Sequence, residues 1–267
     1  MLKDITLGQY FPIDSMLHKL DSRTKILILI LDIVAIFMAQ SFYSYCVIIL
    51  FTLFIIIASK VPMKLYFKGL RPILLIILFT AVLNMFLTDG RALLFFGHNI
   101  GITVEGVIMA VKMALRLVLL IIASSALTYT TSPMALTDGI EKLLKPFSKI
   151  GFPAHELAMM MSIAIRFIPT LIEETDKIIK AQQARGADFD TGSVMKRVKS
   201  LIPMLVPLFI SAFRRADELA IAMESRCYRG GDSRTRLNEI HFTMIDLWGF
   251  FVFAVFFVSV ITLDFIF

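Results

Sequence analysis

Residues 104–127 read VEGVIMAVKMALRLVLLIIASSAL, an apolar run interrupted by charge only at Glu105, Lys112 and Arg116. About 20 such residues, wound as a helix, cover the roughly 30 Å hydrocarbon core of a bilayer. The stretch therefore reads as a membrane span. Four others read the same way: 26–39, apolar apart from Asp32; 42–58, after a tight Gln40-Ser41 turn; 72–87; and 245–264. Composition agrees. The 267 residues are 58% hydrophobic with 24 Phe and a mean hydropathy of +0.81, and only 18% are charged, where a soluble domain carries about a quarter. Cys46 and Cys227 stand far apart, so neither a disulfide framework nor a zinc site is implied.

Lys and Arg set the orientation, because they gather on the cytoplasmic side of short membrane loops. With the N-terminus inside, 24 of the 27 lie inside, Arg91 alone lies outside, and Lys112 and Arg116 fall within a span. The chain is expected to have its N-terminus in the cytoplasm and its C-terminus outside. The net charge of +6 is then mostly a topology signal, and nucleic acid is not an expected partner. Three parts follow: a membrane part with four spans at 1–129, a cytoplasmic helical region at 130–241, and a last span within 242–267. The first 24 residues carry Asp4, Asp14 and Asp21 without an uninterrupted apolar core, so no cleavable signal peptide is expected. Pro12 to Ser15, followed by Met16, Leu17 and Leu20, read as a capped amphipathic turn at the membrane surface or as a disordered leader.

Asp32, Lys112 and Arg116 are the charged residues that lie more than a helical turn inside their spans. A charge there costs several kcal/mol unless paired or snorkelled. Lys112 and Arg116, four residues apart, share one helix face. The expectation is an ion pair between Asp32 and one of them, or snorkelling.

In the long segment, Pro133 suits a first helical turn, Pro146 stops that helix after Leu144, and a longer helix starts near Ala154. Leu157, Met161, Ala164, Ile168, Leu171 and Ile172 recur at three- and four-residue steps. That helix ends at Ala184-Arg185-Gly186, with Gly as terminator. After a polar linker at 188–193 and a basic turn with Lys196, Arg197 and Lys199, Ser200 is placed to cap a second helix, with Pro203 in its first turn and Pro207 as a kink. It ends at Ser225-Arg226-Cys227, shortly before Gly230-Gly231. Both helices thus end on a small residue, an Arg and another small residue. One such Arg offsets a helix dipole; two in matched positions look like a contact device, since Arg presents five donors in a rigid fork.

In these motifs the chain resembles the transmembrane T component, EcfT, of energy-coupling factor transporters, whose signature is a pair of Ala-Arg-Gly motifs at the ends of coupling helices. Ala184-Arg185-Gly186 matches fully; Ser225-Arg226-Cys227 keeps the Arg and changes both flanks. The contexts Met161 to Pro169, Phe213 to Ala220, and Gly8-Gln9-Tyr10-Phe11-Pro12 with Leu20-Asp21 are also similar. The resemblance implies an all-α integral membrane protein with about five transmembrane helices plus long amphipathic cytoplasmic coupling helices, in a bacterial cell membrane. It also implies a non-catalytic scaffold without cofactor. Two ATPases of the ATP-binding-cassette type, EcfA and EcfA′, would dock on the coupling helices, and a separate S component would bind the vitamin.

The residues fit that division of labour. No Gly-x-x-x-x-Gly-Lys-Ser/Thr loop is present, so ATP must be handled by partners. The alternatives are a polytopic membrane enzyme and a stand-alone secondary transporter. Against the first, His18, His98, His155 and His241 are scattered, and Glu173-Glu174 reads as surface charge. Against the second, no broken spans at matching places of two halves are visible.

Overall fold

The computed structural model describes residues 10–95, 98–187, 194–228, 230 and 241–266. Gly8 and Gln9 of the N-terminal motif, the linker at 188–193 and Gly231 lie outside the described residues. The chain folds as two compact units, one of residues 10–139 with 241–266 and one of residues 140–230.

The first unit opens with a single turn, α1 (Met16–Lys19), capped by the Ser15 hydroxyl, which accepts from the His18 amide. Asp21 caps α2 (Ser22–Met38) by accepting from the Arg23 amide. Then come α3 (Phe42–Ser59), α4 (Met63–Leu70) and α5 (Leu74–Leu87). A short antiparallel hairpin follows, β1 (Ala92–Phe95) with β2 (His98–Thr103), pairing Ala92 with Thr103 and Phe95 with His98. Thr103 caps α6 (Val104–Thr130) through the Gly106 amide. Next is α7 (Pro133–Leu144), started by Pro133 and stopped by Pro146, and then a 3₁₀ turn, Lys145–Ile150. The second unit is dominated by α8 (Ala154–Ala184) and α9 (Val194–Ser225); α10 (Met244–Ile266) belongs to the first.

The core of the first unit lies where α10 returns against α2 and α3, with α6 closing it. Ala35 and Ile36 of α2, Ile48 of α3, Leu119 of α6, and Phe253, Phe256 and Val260 of α10 are buried together. Phe51 stacks on Phe256 with ring centroids 3.9 Å apart. The outward faces are apolar as well: Leu75, Leu78, Phe79 and Phe86 of α5 are exposed, which suits solvation by lipid tails.

The all-α reading holds for every span and long helix, and the β1–β2 hairpin is the exception among the described residues. By length and composition α3, α6, α8 and α10 can each cross a membrane. At 17 residues, α2 sits at the short end of the usual range. The third expected span, 72–87, is α5, joined to α4 by a break. α5 has only 14 residues, about 21 Å of helix, and reaches span length together with α4, from which it is bent by 58°. The break falls at Arg71-Pro72-Ile73, where Pro72 has no amide for the helical ladder. The break is single among the described residues and has no counterpart in a second half, so the expectation of no broken spans at matching places of two halves stands.

The second helix of the long segment starts earlier than expected. α9 begins at Val194, so Ser200 lies inside it and Pro203 and Pro207 are both interior prolines. Val, Met, Lys and Arg carry no helix-breaking cost comparable to Gly or Pro, and Ser200 therefore had no boundary to cap.

Candidate functional site

The two arginine-bearing helix ends are built alike. At the end of α8, Arg185 is the capping residue; Gly186 donates to the Gln183 carbonyl at 2.9 Å and Ala187 to the Gln182 carbonyl at 3.0 Å. At the end of α9, Cys227 donates to Glu224 at 2.9 Å and Tyr228 to Met223 at 3.1 Å. This is the same paired closure of orphan carbonyls by a left-handed residue after the cap. Gly186 has φ +86° and Cys227 φ +59°. Glycine takes that conformation freely, whereas a side chain there costs about 1 kcal/mol. Arg185 and Arg226 are both exposed. A Cβ added at Gly186 would meet nothing within 4 Å among the described residues, so these do not require the small residue for space.

α8 and α9 pack on each other. Gln182 donates to the Pro203 carbonyl at 3.2 Å, Ser211 donates to Glu174 at 2.8 Å, and Arg215 is ion-paired with Glu174. Positions fall along α8 as they rise along α9, so the helices run antiparallel where they touch. Beyond Pro203, α9 continues to Ser225 for about 33 Å at 1.5 Å per residue. Arg185 stays near the contact while Arg226 lies at the far end of α9, so the two heads cannot grip one point.

Asp32, Lys112 and Arg116 are not brought together as an ion pair. Lys112 Nζ donates to the Gln40 carbonyl at 2.6 Å; Arg116 donates to the Ala39 carbonyl at 3.3 Å and the Tyr45 hydroxyl at 3.1 Å. Both cations of α6 thus close the C-terminal end of α2, where unpaired carbonyls carry partial negative charge. From α10, Asp264 completes the clamp by accepting from the Ser41 amide at 2.8 Å and the Ser44 hydroxyl at 2.7 Å. Asp32 lies two helical turns back, 2% exposed, with Oδ1 unpartnered. It lines an apolar cavity of about 210 Å³ with Phe51, Phe54, Trp248 and Val252. Among the described residues no group of three or more His, Cys, Asp or Glu could hold a metal ion.

Comparison with known proteins fits this architecture. The family described as CbiQ, cobalt transport protein, matches residues 14–237. The energy-coupling factor transporter transmembrane protein EcfT of Clostridium kluyveri is 60% identical over 247 residues, 92% of each chain. That of Ruminiclostridium cellulolyticum is 52% identical over 267 residues, the whole of both chains. That of Bacillus subtilis is 45% identical over 246 residues, 92% of this chain and 93% of the relative. The chain belongs to the EcfT family. The family is one of transporter transmembrane proteins, and the apolar helices described above place this member in the membrane as well. A transporter transmembrane component of this kind fits a non-catalytic subunit.

For an EcfT-family chain, sequence reasoning passed over the polar anchors of the bundle. Asp264 was read as the end of a span, and Asp246 was not singled out. Asp246 accepts from the Asp21 amide at 2.7 Å and from the Thr243 amide and hydroxyl, both at 2.8 Å. A signal existed in both cases: an acid within a turn of a span end. Glu174 was read as surface charge, and its partner Arg215 lies 41 residues away, beyond any local pattern.

Proposed function

We propose that this chain is the transmembrane scaffold of an ATP-driven importer, transmitting motion from two ATP-binding-cassette ATPases, EcfA and EcfA′, to a separate substrate-binding S component. Arg185 with Ala184 and Gly186, and Arg226 with Ser225 and Cys227, each seat one helix end in an ATPase groove. The chain takes no catalytic part and needs no cofactor. The S component chooses the cargo, a vitamin or other micronutrient. The N-terminus is cytoplasmic, residues 130–241 face the ATPases, and the C-terminus is outside.

The observation that carries the reading is the repeated helix end: two exposed arginines on identically closed helices, set on the order of 30 Å apart along α9. That spacing suits two subunits better than one. Family membership supports the transport role, and the 24-to-1 charge bias supports the orientation.

The test is co-purification of both ATPases with Arg185→Ala, Arg226→Ala and the double variant, alongside uptake in proteoliposomes. Insertion is expected to persist while ATPase association or coupling falls. Wild-type coupling in the double variant would reject the grip. Orientation is read separately: externally added maleimide should reach a cysteine placed at Asp89 and miss one placed at Gly192.

A further inference from the structure

Between α7 and α8 the chain forms a nine-residue tip, 145–153, in which every residue is exposed. Phe147 is 53% exposed, Ile150 83% and Phe152 41%. Lys145 and Lys149 alternate with them, and no acid occurs from 143 to 153. We propose that this tip is an interfacial anchor, inserting Phe147, Ile150 and Phe152 among lipid chains while Lys145 and Lys149 meet anionic phospholipid headgroups.

The tip is built for that environment. Its backbone is largely closed on itself: Gly151 donates to Ser148 at 3.1 Å, Phe152 to Phe147 at 3.3 Å, Ala154 to Phe152 at 2.8 Å, and the Ser148 hydroxyl to the Lys145 carbonyl at 2.8 Å. Entering the interface therefore strands few polar groups. Gly151, at φ +88°, makes the reversal that sets Ile150 at the apex. The base is fixed by buried Ala154 and Ala158 and by His155 Nδ1, 3.0 Å from Glu141 Oε1 across the loop. Such a loop presents its apolar side chains already arranged.

Charge chemistry selects lipid over a protein groove. Lysine is a flexible point charge whose stem can lie along apolar surface while its head reaches phosphate. Basic side chains beside a membrane are drawn to an anionic leaflet. The chain also leads back to the bilayer quickly. Six residues before the tip, Gly139 packs against Ser22 at the start of α2; a Cβ there would lie 2.7 Å from the Ser22 hydroxyl. Anchoring the tip would pin the N-terminal end of α8 and leave the end bearing Arg185 to swing. That consequence rests on the coupling role proposed above; the anchoring itself does not.

The full chain, reconstituted in nanodiscs of phosphatidylglycerol and phosphatidylcholine, tests it. Trp248 is the sole tryptophan, so Ile150→Trp in a Trp248→Phe background reports the tip alone. Blue-shifted emission is expected, quenched more by shallow than by deep acyl-chain bromines. Lys145→Glu with Lys149→Glu should weaken quenching in phosphatidylglycerol discs and not in pure phosphatidylcholine. Water-like emission untouched by bromine would overturn the proposal, as would a blue shift that appears only when partner subunits are added. Quenching unaffected by the lysine changes would overturn the headgroup contact. If Trp248→Phe misfolds, a spin label at Ile150→Cys, with Cys46 and Cys227 changed to Ser, gives the same readout through oxygen accessibility.

Discussion

Two pairs of cations sit at helix C-termini in this molecule, and they are used in opposite ways. At the end of α2 the cations come from another helix: Lys112 and Arg116 of α6 reach the Gln40 and Ala39 carbonyls. At the ends of α8 and α9 the carbonyls are closed by the backbone itself, and Arg185 and Arg226 remain exposed. The dipole chemistry is common to all four. The difference lies in who satisfies the orphan carbonyls. Where a neighbouring span supplies the donors, the cation is consumed in holding the bundle together. Where a left-handed residue does it, the cation is available to another protein.

The largest expected effect breaks the outer pair. A grip residue at an interface centre costs about 2 kcal/mol or more on truncation, roughly 30-fold in affinity, and a dipole-offsetting one well under about 1 kcal/mol. Arg185→Ala with Arg226→Ala should therefore weaken ATPase association far more than either single change, as measured by titrating labelled ATPase subunits. Losses below about threefold would make these arginines equivalent to a simple helix-end charge and erase the contrast.

The inner pair should respond in stability. Arg116→Leu removes charged donors from the Ala39 carbonyl and the buried Tyr45 hydroxyl. Bonds to charged groups contribute about 1.5–3 kcal/mol. The variant is expected to lower the thermal midpoint in detergent while leaving ATPase binding by the surviving folded fraction unchanged. Loss of ATPase binding without loss of stability would contradict the division.

Smaller effects sharpen the difference between the two outer ends. Gly186→Ala places a Cβ at φ +86° and should destabilise the end of α8 by about 1 kcal/mol. Since nothing among the described residues lies near that Cβ, any larger loss seen only with ATPase present would mark a close approach by the partner. Cys227→Gly is the reverse change, expected to relieve about 1 kcal/mol of strain less the added entropy of a freer unfolded chain. Hydrogen exchange at the Cys227 and Tyr228 amides would slow slightly; faster exchange would show that Cys227 makes compensating contacts.

Legibility in the sequence followed how local the cause was. The end of α8 was readable because Gly186 carries its conformational freedom in its identity. The stop after Leu144 was readable because Pro146 cannot continue a helix. The start of α9 was missed because Ser200 looked like a cap although nothing before it ended the helix. The bend between α4 and α5 was missed because Lys64, Lys68 and Arg71 made α4 resemble a charged loop, although Pro72 stood at the break. Both long helical segments, their apolar stripes and their terminal arginines came from residues within a few turns of one another.

The sequence by itself determined that this chain lives in a membrane, where its apolar runs lie, and that two helices end on arginines. Those properties depend on composition, on 3.6-residue periodicity and on terminators within one turn. Only the tertiary structure decided what Asp32, Lys112 and Arg116 do. Sequence placed all three within spans and offered an ion pair or snorkelling. Depth and register between helices decide contact, however, and α6 sets its two cations at the end of α2, two turns beyond Asp32. The carbonyls there and the carboxylate of Asp264, 224 residues from Gln40, meet only because α10 folds back into the bundle.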